Sequence, residues 1–330
     1  SDVYKRQLLF LLGIVAFAGP FDAGYAGSVN LGQAGFWAAF VGAAILAMSN
    51  PVSFGAFLGD WSRYIPRETP KARIMLAVIA AQGATLIPFL FGLCTATLVA
   101  TQAPDYIAAN NYVGGLLAVA PSWFFLPVCL IAVIGGMSTG TTALYGTGLD
   151  MSSVFPRLLS RAGATLLIGV LAIGFIFIGR FTFNLVQSVS TFAVLIITCT
   201  SPWMVIMILG LITRRGFYHA DDLQVFTRGQ RGGHYWFLHG WNWRGMGAWI
   251  PSAAVGLCFV NLPGQFVGPL GDLAGGIDLS LPVTLGLAGV LYLLLLNLFP
   301  EPAGVYGPLG PRWVRCKSTA HTPVTTAEMA

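Results

Sequence analysis

Residues 36–55 read FWAAFVGAAILAMSNPVSFG, a stretch of twenty residues without a charged side chain. At 1.5 Å per residue, a helix of this length crosses the roughly 30 Å hydrocarbon core of a bilayer. Pro51 lies inside the stretch, where it removes a backbone donor and its ring clashes with the preceding turn. The stretch therefore predicts a membrane-spanning helix, at about residues 35–59, that is disturbed around Asn50 to Gly55.

Two interpretations of this disturbed span stay open. In the first, Pro51 merely kinks a continuous helix, as prolines in membrane helices often do. In the second, the helix is interrupted. Interrupted backbone in a bilayer is tolerated where it is buried in protein or lines a cavity, and transporters use such helix ends to hold polar solutes and ions. Gly55 would permit the break, and Ser49, Asn50 and Ser53 would bond the freed backbone groups.

The composition extends the membrane interpretation to the whole chain. Hydrophobic residues make up 56% and charged residues 9% of the 330 residues, and the mean hydropathy is +0.75. Soluble domains carry about 25% charged residues, so a soluble protein is excluded. We expect an all-α polytopic membrane protein with seven complete spans after a short apolar run at 8–19. Besides 35–59, the spans are predicted at about 74–100, 121–148, 162–179, 184–212, 246–262 and 281–299.

The positive charges order the loops between these spans. Of the 17 Lys and Arg residues, Lys5 and Arg6 lie in the first seven residues and Arg180 lies in a loop of the other parity. All the others fall in alternate connections, which the positive-inside rule assigns to the cytoplasm. Basic residues spread in this way set membrane topology and do not predict nucleic-acid binding. In a multi-pass protein of the cell membrane, the cytoplasmic segments would be 60–73, 149–161, 213–245 and the C-terminus.

The two ends of the chain differ from its middle. Residues 1–7, SDVYKRQ, resemble the translation of a transposase adapter used in sequencing libraries; the alternative is a natural peptide. We therefore expect a transmembrane transporter domain over residues 8–317 that is incomplete at its N-terminus. Residues 318–330 are polar without periodicity and predict a disordered cytoplasmic tail.

Sites of other kinds find little support in the sequence. His219, His234 and His239 lie in the segment 213–245, but their spacing does not match a helical metal pair, and they are interpreted as interfacial loop residues. Four of the five cysteines lie in apolar runs and predict buried hydrophobic side chains. The sequence contains no GxSxG, HExxH or P-loop motif. No enzyme is predicted, and no cofactor beyond a coupling ion.

A second span has an unusual polar stretch, Gly135-Gly136-Met137-Ser138-Thr139-Gly140-Thr141-Thr142. Small residues allow close packing of membrane helices, which is one interpretation. The other is a cation site, in which the hydroxyls of Ser138 and Thr139 and the carbonyl of Gly135 serve as oxygen ligands. Such a neutral set of ligands favours a monovalent ion.

Five elements of the chain resemble the nucleobase:cation symporter family of the purine–cytosine permease type, in order and with the helix spacing intact. They run from about Leu8 to Arg315. The elements are Gly59-Asp60-Trp61-Ser62-Arg63-Tyr64-Ile65-Pro66, Thr142-Ala143-Leu144-Tyr145-Gly146-Thr147-Gly148-Leu149, Asn242-Trp243-Arg244-Gly245, Gly275-Gly276-Ile277-Asp278 and Leu298-Phe299-Pro300-Glu301-Pro302.

The resemblance implies a fold and a set of site residues. The fold would be that of the amino-acid/sodium symporters, a five-plus-five inverted repeat, of which this chain would hold helices six to twelve and the end of helix five. Phe54 would stack on a planar base, and Ser138 and Thr139 would form half of a sodium site with the Gly135 carbonyl. Further contacts to the base are expected from Asn50, Ser53, Gly55, Gly136, Thr141 and Thr142.

The expected function is import of a nucleobase-like solute, coupled to Na⁺ or H⁺, by alternating access. The solute would be a purine, cytosine or a hydantoin- or allantoin-like heterocycle; relatives often carry amides where Gly140, Thr141 and Thr142 stand, which places cytosine in doubt. The alternatives are a non-transporting membrane protein (a transceptor or a decayed copy) and a proton-coupled transporter of another solute class. The expected partners are the solute and the lipid bilayer, without nucleic acid. Because helices one and three would complete both sites, the chain alone is not expected to transport.

Overall fold

The computed structural model describes most of the chain. The described residues are 13, 16, 17, 32, 33, 35–55, 59, 62, 64–66, 68–109, 111–155, 158–182, 185–225, 228, 230–317, 325 and 326, and the side chains at 50, 54, 132, 153, 154, 179–182 and 185–188 lie outside this description.

Helices dominate the described residues. The helices are α1 (Phe36–Phe54), α2 (Lys71–Gln102), α3 (Pro104–Ala108), α4 (Tyr112–Val119), α5 (Phe125–Val154), α6 (Arg161–Thr182), α7 (Leu185–Thr213), α8 (Ala220–Leu223), α9 (Trp243–Cys258) and α10 (Ser280–Leu298), with short 3₁₀ turns at Ser122–Phe124, Gly271–Ala274 and Ala303–Val305. The strands are two residues each: β1 (Gln230–Arg231), β2 (Asn261–Leu262), β3 (Phe266–Val267), β4 (Glu301–Pro302), β5 (Cys316–Lys317) and β6 (Thr325–Thr326). Strands β1 and β6 pair antiparallel, as do β2 and β3, while β4 and β5 pair in parallel.

Six of the helices in the described part of the chain are long and apolar enough to cross a membrane. They lie within α1, α2, α5, α6, α7 and α10. The seventh predicted span, 246–262, corresponds to α9, which has 16 residues, fewer than the about 20 of a typical span; that it crosses the membrane stays a prediction. Asn242 caps the start of α9, its side-chain oxygen accepting the Gly245 N–H at 3.2 Å, and the chain leaves the helix at Phe259.

The chain divides into two compact units. The first comprises Ser1–Gln33 and Gly59–Gly148. Its core gathers Leu98 of α2, Phe124 and Phe17, whose ring meets that of Phe124 edge-on at 5.4 Å. Next to this core, the Thr95 and Tyr112 hydroxyls hydrogen-bond at 2.6 Å and so join α2 to α4. This unit carries the Gly135–Thr142 stretch.

The second unit comprises Ala34–Leu58 and Leu149–Ala330. Helices α7, α9 and α10 pack on one another, and α1 packs on α7. The closest approach is at Gly256 of α9, where an added Cβ would overlap the Thr284 methyl and lie 3.0 Å from that of Thr198. Small residues bring membrane helices close together in this way.

A buried carboxylate organises the connection between α9 and α10. Asp278 is 3% exposed, and its oxygens accept the Asn261 N–H at 3.0 Å and the Ser280 N–H at 2.7 Å. The Asp278 side chain thereby caps the first residue of α10, a role that acidic side chains commonly have at helix starts. Asn261 also donates from its amide to the Gly271 carbonyl at 2.9 Å. The Gly275–Asp278 element is thus a helix-starting loop.

Candidate functional site

The disturbed span is helical through its proline. Helix α1 runs unbroken from Phe36 to Phe54 with Pro51 inside it, and Gly55 ends it in a right-handed conformation. The interruption predicted around Asn50 is therefore not present up to Phe54, and the alternative of a helix that continues through Pro51 holds. Within this helix, the Ser49 hydroxyl donates to the Leu46 carbonyl at 2.6 Å.

The predicted site residues of α1 lie at the end of this helix. Ser53 is half-buried, and the Asn50 and Phe54 side chains fall outside the described residues. A Cβ added at Gly55 would lie 3.3 Å from the Met204 sulfur of α7. Val52 is 8% exposed and packs in one cluster with Ile197. This end of α1 is thus fixed against α7, and Gly55 has a packing role that is compatible with its predicted place beside a solute.

The polar stretch of the other predicted span is also continuous helix. Residues 135–142 lie in α5, so the Gly135 carbonyl is engaged in the helix ladder and offers a ligand only its remaining lone pair. Thr141 donates to the Met137 carbonyl at 2.7 Å and Thr142 to the Ser138 carbonyl at 2.9 Å. The two threonine hydroxyls keep acceptor lone pairs that a polar solute or an ion can use.

This stretch is open to its surroundings. Thr139, Thr141 and Thr142 are exposed and Ser138 is half-buried. Among the described residues, nothing lies within 4 Å of a Cβ built at Gly135, Gly136 or Gly140. The glycines therefore do not serve a close helix contact within the described part of the chain, and the small-residue packing explanation lacks support there.

The two halves of the predicted site belong to different units. Ser53 and Gly55 lie in the second unit and residues 135–142 in the first. Each unit brings its own residues together on one helix, and a pocket shared by both stays a prediction. Asp60 and Arg63, in the first of the elements that resemble the family, lie outside the described residues.

Two of the elements that carry the family resemblance contact one another in the second unit. Arg244, 8% exposed, donates from Nη2 to the Pro300 carbonyl at 3.2 Å and from Nε to the Phe299 carbonyl. The rings of Trp243 and Phe299 meet edge-on at 5.0 Å. The start of α9 is therefore tied to the exit of α10, and these elements have a structural role.

A buried ion pair closes the same end of the helices. Arg214, just after α7, donates through Nη2 to both carboxylate oxygens of Glu301, at 2.8 and 3.0 Å, and the side chains are 7% and 1% exposed. Burial alone would lower the pKa of Arg214, but the Glu301 carboxylate and nearby tyrosines raise it above its ordinary value. Burial also raises the pKa of Tyr306, which lies beside the pair.

A cluster that the sequence interpretation missed lies in the segment between α7 and α9. The interpretation treated His219 and His234 as separate loop residues, yet their rings stack with centroids 4.0 Å apart. Asp222 hydrogen-bonds to His234 and lies within 4.8 Å of a ring nitrogen of His219. Burial alone would raise the pKa of Asp222, but its hydrogen bonds with His234 lower it. Spacing rules for metal pairs cover residues on one helix turn, and here the chain folds back over fifteen residues. No pattern in the sequence signals that return.

Six membrane-length helices and 9% charged residues define the chain as an α-helical, multi-pass membrane protein. The model of the family described as "Permease for cytosine/purines, uracil, thiamine, allantoin" matches residues 5–283. The chain belongs to this permease family, which confirms the resemblance found in the sequence.

A curated relative agrees with the family. The chain is 22% identical over 252 residues to the protein of Bacillus subtilis (strain 168) named "Putative purine-cytosine permease YxlA". The aligned part covers 74% of this chain and 52% of the relative, so the chain spans about half the length of the relative it matches. No solved structure matches the chain.

Proposed function

We propose that the protein is a secondary-active symporter that imports a nucleobase or a related planar heterocycle together with a cation, by alternating access. It would act in the plasma membrane with its basic loops toward the cytoplasm. The family membership supports a small heterocyclic solute, because cytosine, purines, uracil, thiamine and allantoin are the compounds in the family's description. The B. subtilis relative's name points to purines and cytosine.

One observation carries the coupling part of the proposal. The stretch from Gly135 to Thr142 places four hydroxyls and three glycines in the middle of a membrane-length helix, and Thr139, Thr141 and Thr142 are exposed. Polar groups inside a membrane are costly and mark ion or solute pathways. Ser138, Thr139 and the free lone pair of the Gly135 carbonyl would bind Na⁺ as neutral oxygen ligands. Inward movement of one Na⁺ at 100 mV supplies about 2.3 kcal/mol.

Residues of α1 and residues of α5 are each proposed to contact the solute. Phe54 would stack on the heterocycle, a contact that contributes about 1–3 kcal/mol per base in other proteins. Asn50, Ser53 and Gly55 would contact the solute from α1, and Gly136, Thr141 and Thr142 from α5. The acceptor lone pairs left on the threonine hydroxyls suit the ring N–H groups of a nucleobase.

Uptake of radiolabelled bases tests the proposal. Cells that express the complete gene product would be given labelled adenine, hypoxanthine, cytosine, uracil and allantoin, with Na⁺ present or replaced by choline. We expect saturable uptake of at least one compound that falls at least about tenfold without Na⁺. Na⁺-independent uptake that follows a pH gradient would assign H⁺ as the coupling ion. Normal membrane insertion with no uptake of any base would overturn the transporter function.

Matched variants separate the two predicted sites. Phe54→Ala should raise the KM for the solute about 5- to 150-fold, the equivalent of 1–3 kcal/mol, while Phe40→Ala on the same helix should leave it within twofold. Thr139→Val removes one predicted Na⁺ ligand and should raise the Na⁺ concentration for half-maximal uptake. Thr147→Val, eight residues or about 12 Å further along α5, should not. Equal effects of each variant and its control would refute the site assignments.

A further inference from the structure

Three side chains in the segment between α7 and α9 converge on one point. His219, Asp222 and His234 each offer a ligand atom, and these atoms lie within 4.8 Å of one another. All three residues are half-buried. Two imidazoles and one carboxylate are the ligand types that divalent transition metals bind, whereas Ca²⁺ and Mg²⁺ prefer oxygen ligands alone.

The chain is shaped to bring the three together. His219 precedes the short helix α8 and Asp222 lies within its first turn, so that both fall on the same side. His234 follows Gly232 and Gly233, whose φ angles of 101° and 85° a residue with a side chain rarely adopts. These two glycines turn the chain back toward α8.

The space that the cluster occupies is available because two neighbouring residues are glycines. A Cβ at Gly233 would lie 3.0 Å from the Asp222 carboxylate, and a Cβ at Gly304 would lie 2.7 Å from Nε2 of His234. Both positions are tight enough that a side chain would displace a member of the cluster. Glycine at each is therefore required by the cluster itself.

Hydrogen bonds orient two members of the cluster. Nε2 of His219 lies 3.0 Å from the Gly304 carbonyl. When this nitrogen carries the proton, it donates to the carbonyl and the other ring nitrogen is left as a metal ligand. A backbone carbonyl commonly fixes the tautomer of metal-bound histidines in this way. Asp222 accepts the backbone N–H of His234 at 3.0 Å, which holds its carboxylate in place.

We propose that His219, Asp222 and His234 bind a divalent transition-metal ion of the Zn²⁺ class, with water as the remaining ligand. A tetrahedral ion with bonds of about 2.0–2.1 Å needs ligand atoms about 3.3 Å apart, so the direct contact between His234 Nδ1 and Asp222 lengthens on binding, while the wider separations in the cluster shorten. The stacked rings, now 10° from parallel, then tilt toward the ion. This metal is separate from the coupling ion, and the inference does not depend on the proposed function.

Cobalt binding tests the site. Co²⁺ reports tetrahedral coordination through its visible absorption and occupies Zn²⁺ sites. The protein, purified in detergent with an affinity tag that contains no histidine, would be titrated with CoCl₂ and then with ZnSO₄. We expect one equivalent of Co²⁺ with tetrahedral bands, without a thiolate charge-transfer band, displaced by one equivalent of Zn²⁺. No saturable band, or a band with thiolate character, would overturn the proposal.

Variants show which residues hold the ion. His219→Gln, Asp222→Asn and His234→Gln should each weaken Co²⁺ binding at least about tenfold, since loss of even an outer partner costs 10- to 100-fold. The matched control is His239→Gln, an exposed histidine of the same segment, which should stay within twofold. Zn²⁺ should raise the midpoint of thermal unfolding of the wild type and of the control only. Equal Co²⁺ affinity in all variants would assign the ion elsewhere and refute the site.

Discussion

Helices α9 and α10 and the polar stretch of α5 lie in different units and differ in almost every local property. The facing sides of α9 and α10 are buried: Ser252, Thr284 and Ala288 are fully inaccessible. In the α5 stretch, Met137 is 70% exposed and the space beside its glycines is open among the described residues. Small and hydroxyl residues are common to both regions, but only the first uses them for packing.

The difference teaches that composition alone does not assign a role to small polar residues in a membrane helix. In α9, glycine allows two helices to approach, and the hydroxyl of Thr284 is satisfied at 2.7 Å by the Ser280 carbonyl of its own helix. In α5, the same residue types leave acceptor groups accessible. The buried small residues of α9 and α10 stabilise the packing of these helices. The accessible acceptor groups of α5 are the ones that the proposed transport function uses.

The largest effect on stability is expected for the buried ion pair at the end of the packed helices of the second unit. Glu301→Gln leaves the buried Arg214 without its counter-ion and should lower the free energy of unfolding by about 3–5 kcal/mol. The loss would be measured by SDS titration in detergent micelles. The control is Asp221→Asn, since Asp221 lies 3.9 Å from Arg228 in an exposed pair and should cost less than about 1 kcal/mol. A loss as small as the control's would mean that water reaches Arg214.

The glycines give a smaller and more direct comparison. Gly256→Ala places a methyl group against Thr284 and Thr198 and should cost about 1–3 kcal/mol. Gly140→Ala in α5 meets open space in the described chain and should stabilise the helix by up to about 1 kcal/mol through its better helix propensity. The same SDS titration measures both. If the two variants changed stability in the same direction, the contrast between the regions would be lost.

Loss of a helix cap should have the smallest effect on stability, and the effect should be about the same in both units. Asn242 before α9 and Asn111 before α4 each accept a backbone N–H three residues on, at 3.2 and 3.1 Å. Replacing either with Ala should cost about 1 kcal/mol, because a cap acts locally, and replacement with Asp should cost little. Hydrogen exchange at Gly245 and Gly114 would report the loss. A clearly larger cost at Asn242 would show that its cap also stabilises the packing of α9 and α10.

Sequence reasoning predicted most of the fold because membrane helices are specified by long apolar runs. It placed six spans correctly, and the seventh, at 246–262, corresponds to the 16-residue α9 and stays a prediction. It based the site on an α1 interrupted around Asn50 to Gly55, which was wrong as far as Phe54, because the helix is continuous through Pro51. The Ser49 hydrogen bond that accompanies this continuity cannot be seen in a hydropathy pattern.

The polar contacts of the connecting segments could not be predicted from the sequence, for a different reason. Arg214 and Glu301 are 87 residues apart, and His219 meets His234 because two glycines turn the chain back. Periodicity carries no information about such pairs. The sequence did identify the Asn242 and Glu301 elements through resemblance, and the structure gives them physical roles as a helix cap and a buried counter-ion.

The position of Glu301 has a consequence for biosynthesis. A ribosome makes Arg214 long before its partner, which follows the end of α10. Until that carboxylate is synthesised, the guanidinium at the end of α7 lacks its counter-ion, and its burial is energetically unfavourable. Translation that stops at Phe299 would therefore release a polypeptide with α10 complete but a stranded cation, a product that membrane quality-control proteases can recognise and degrade.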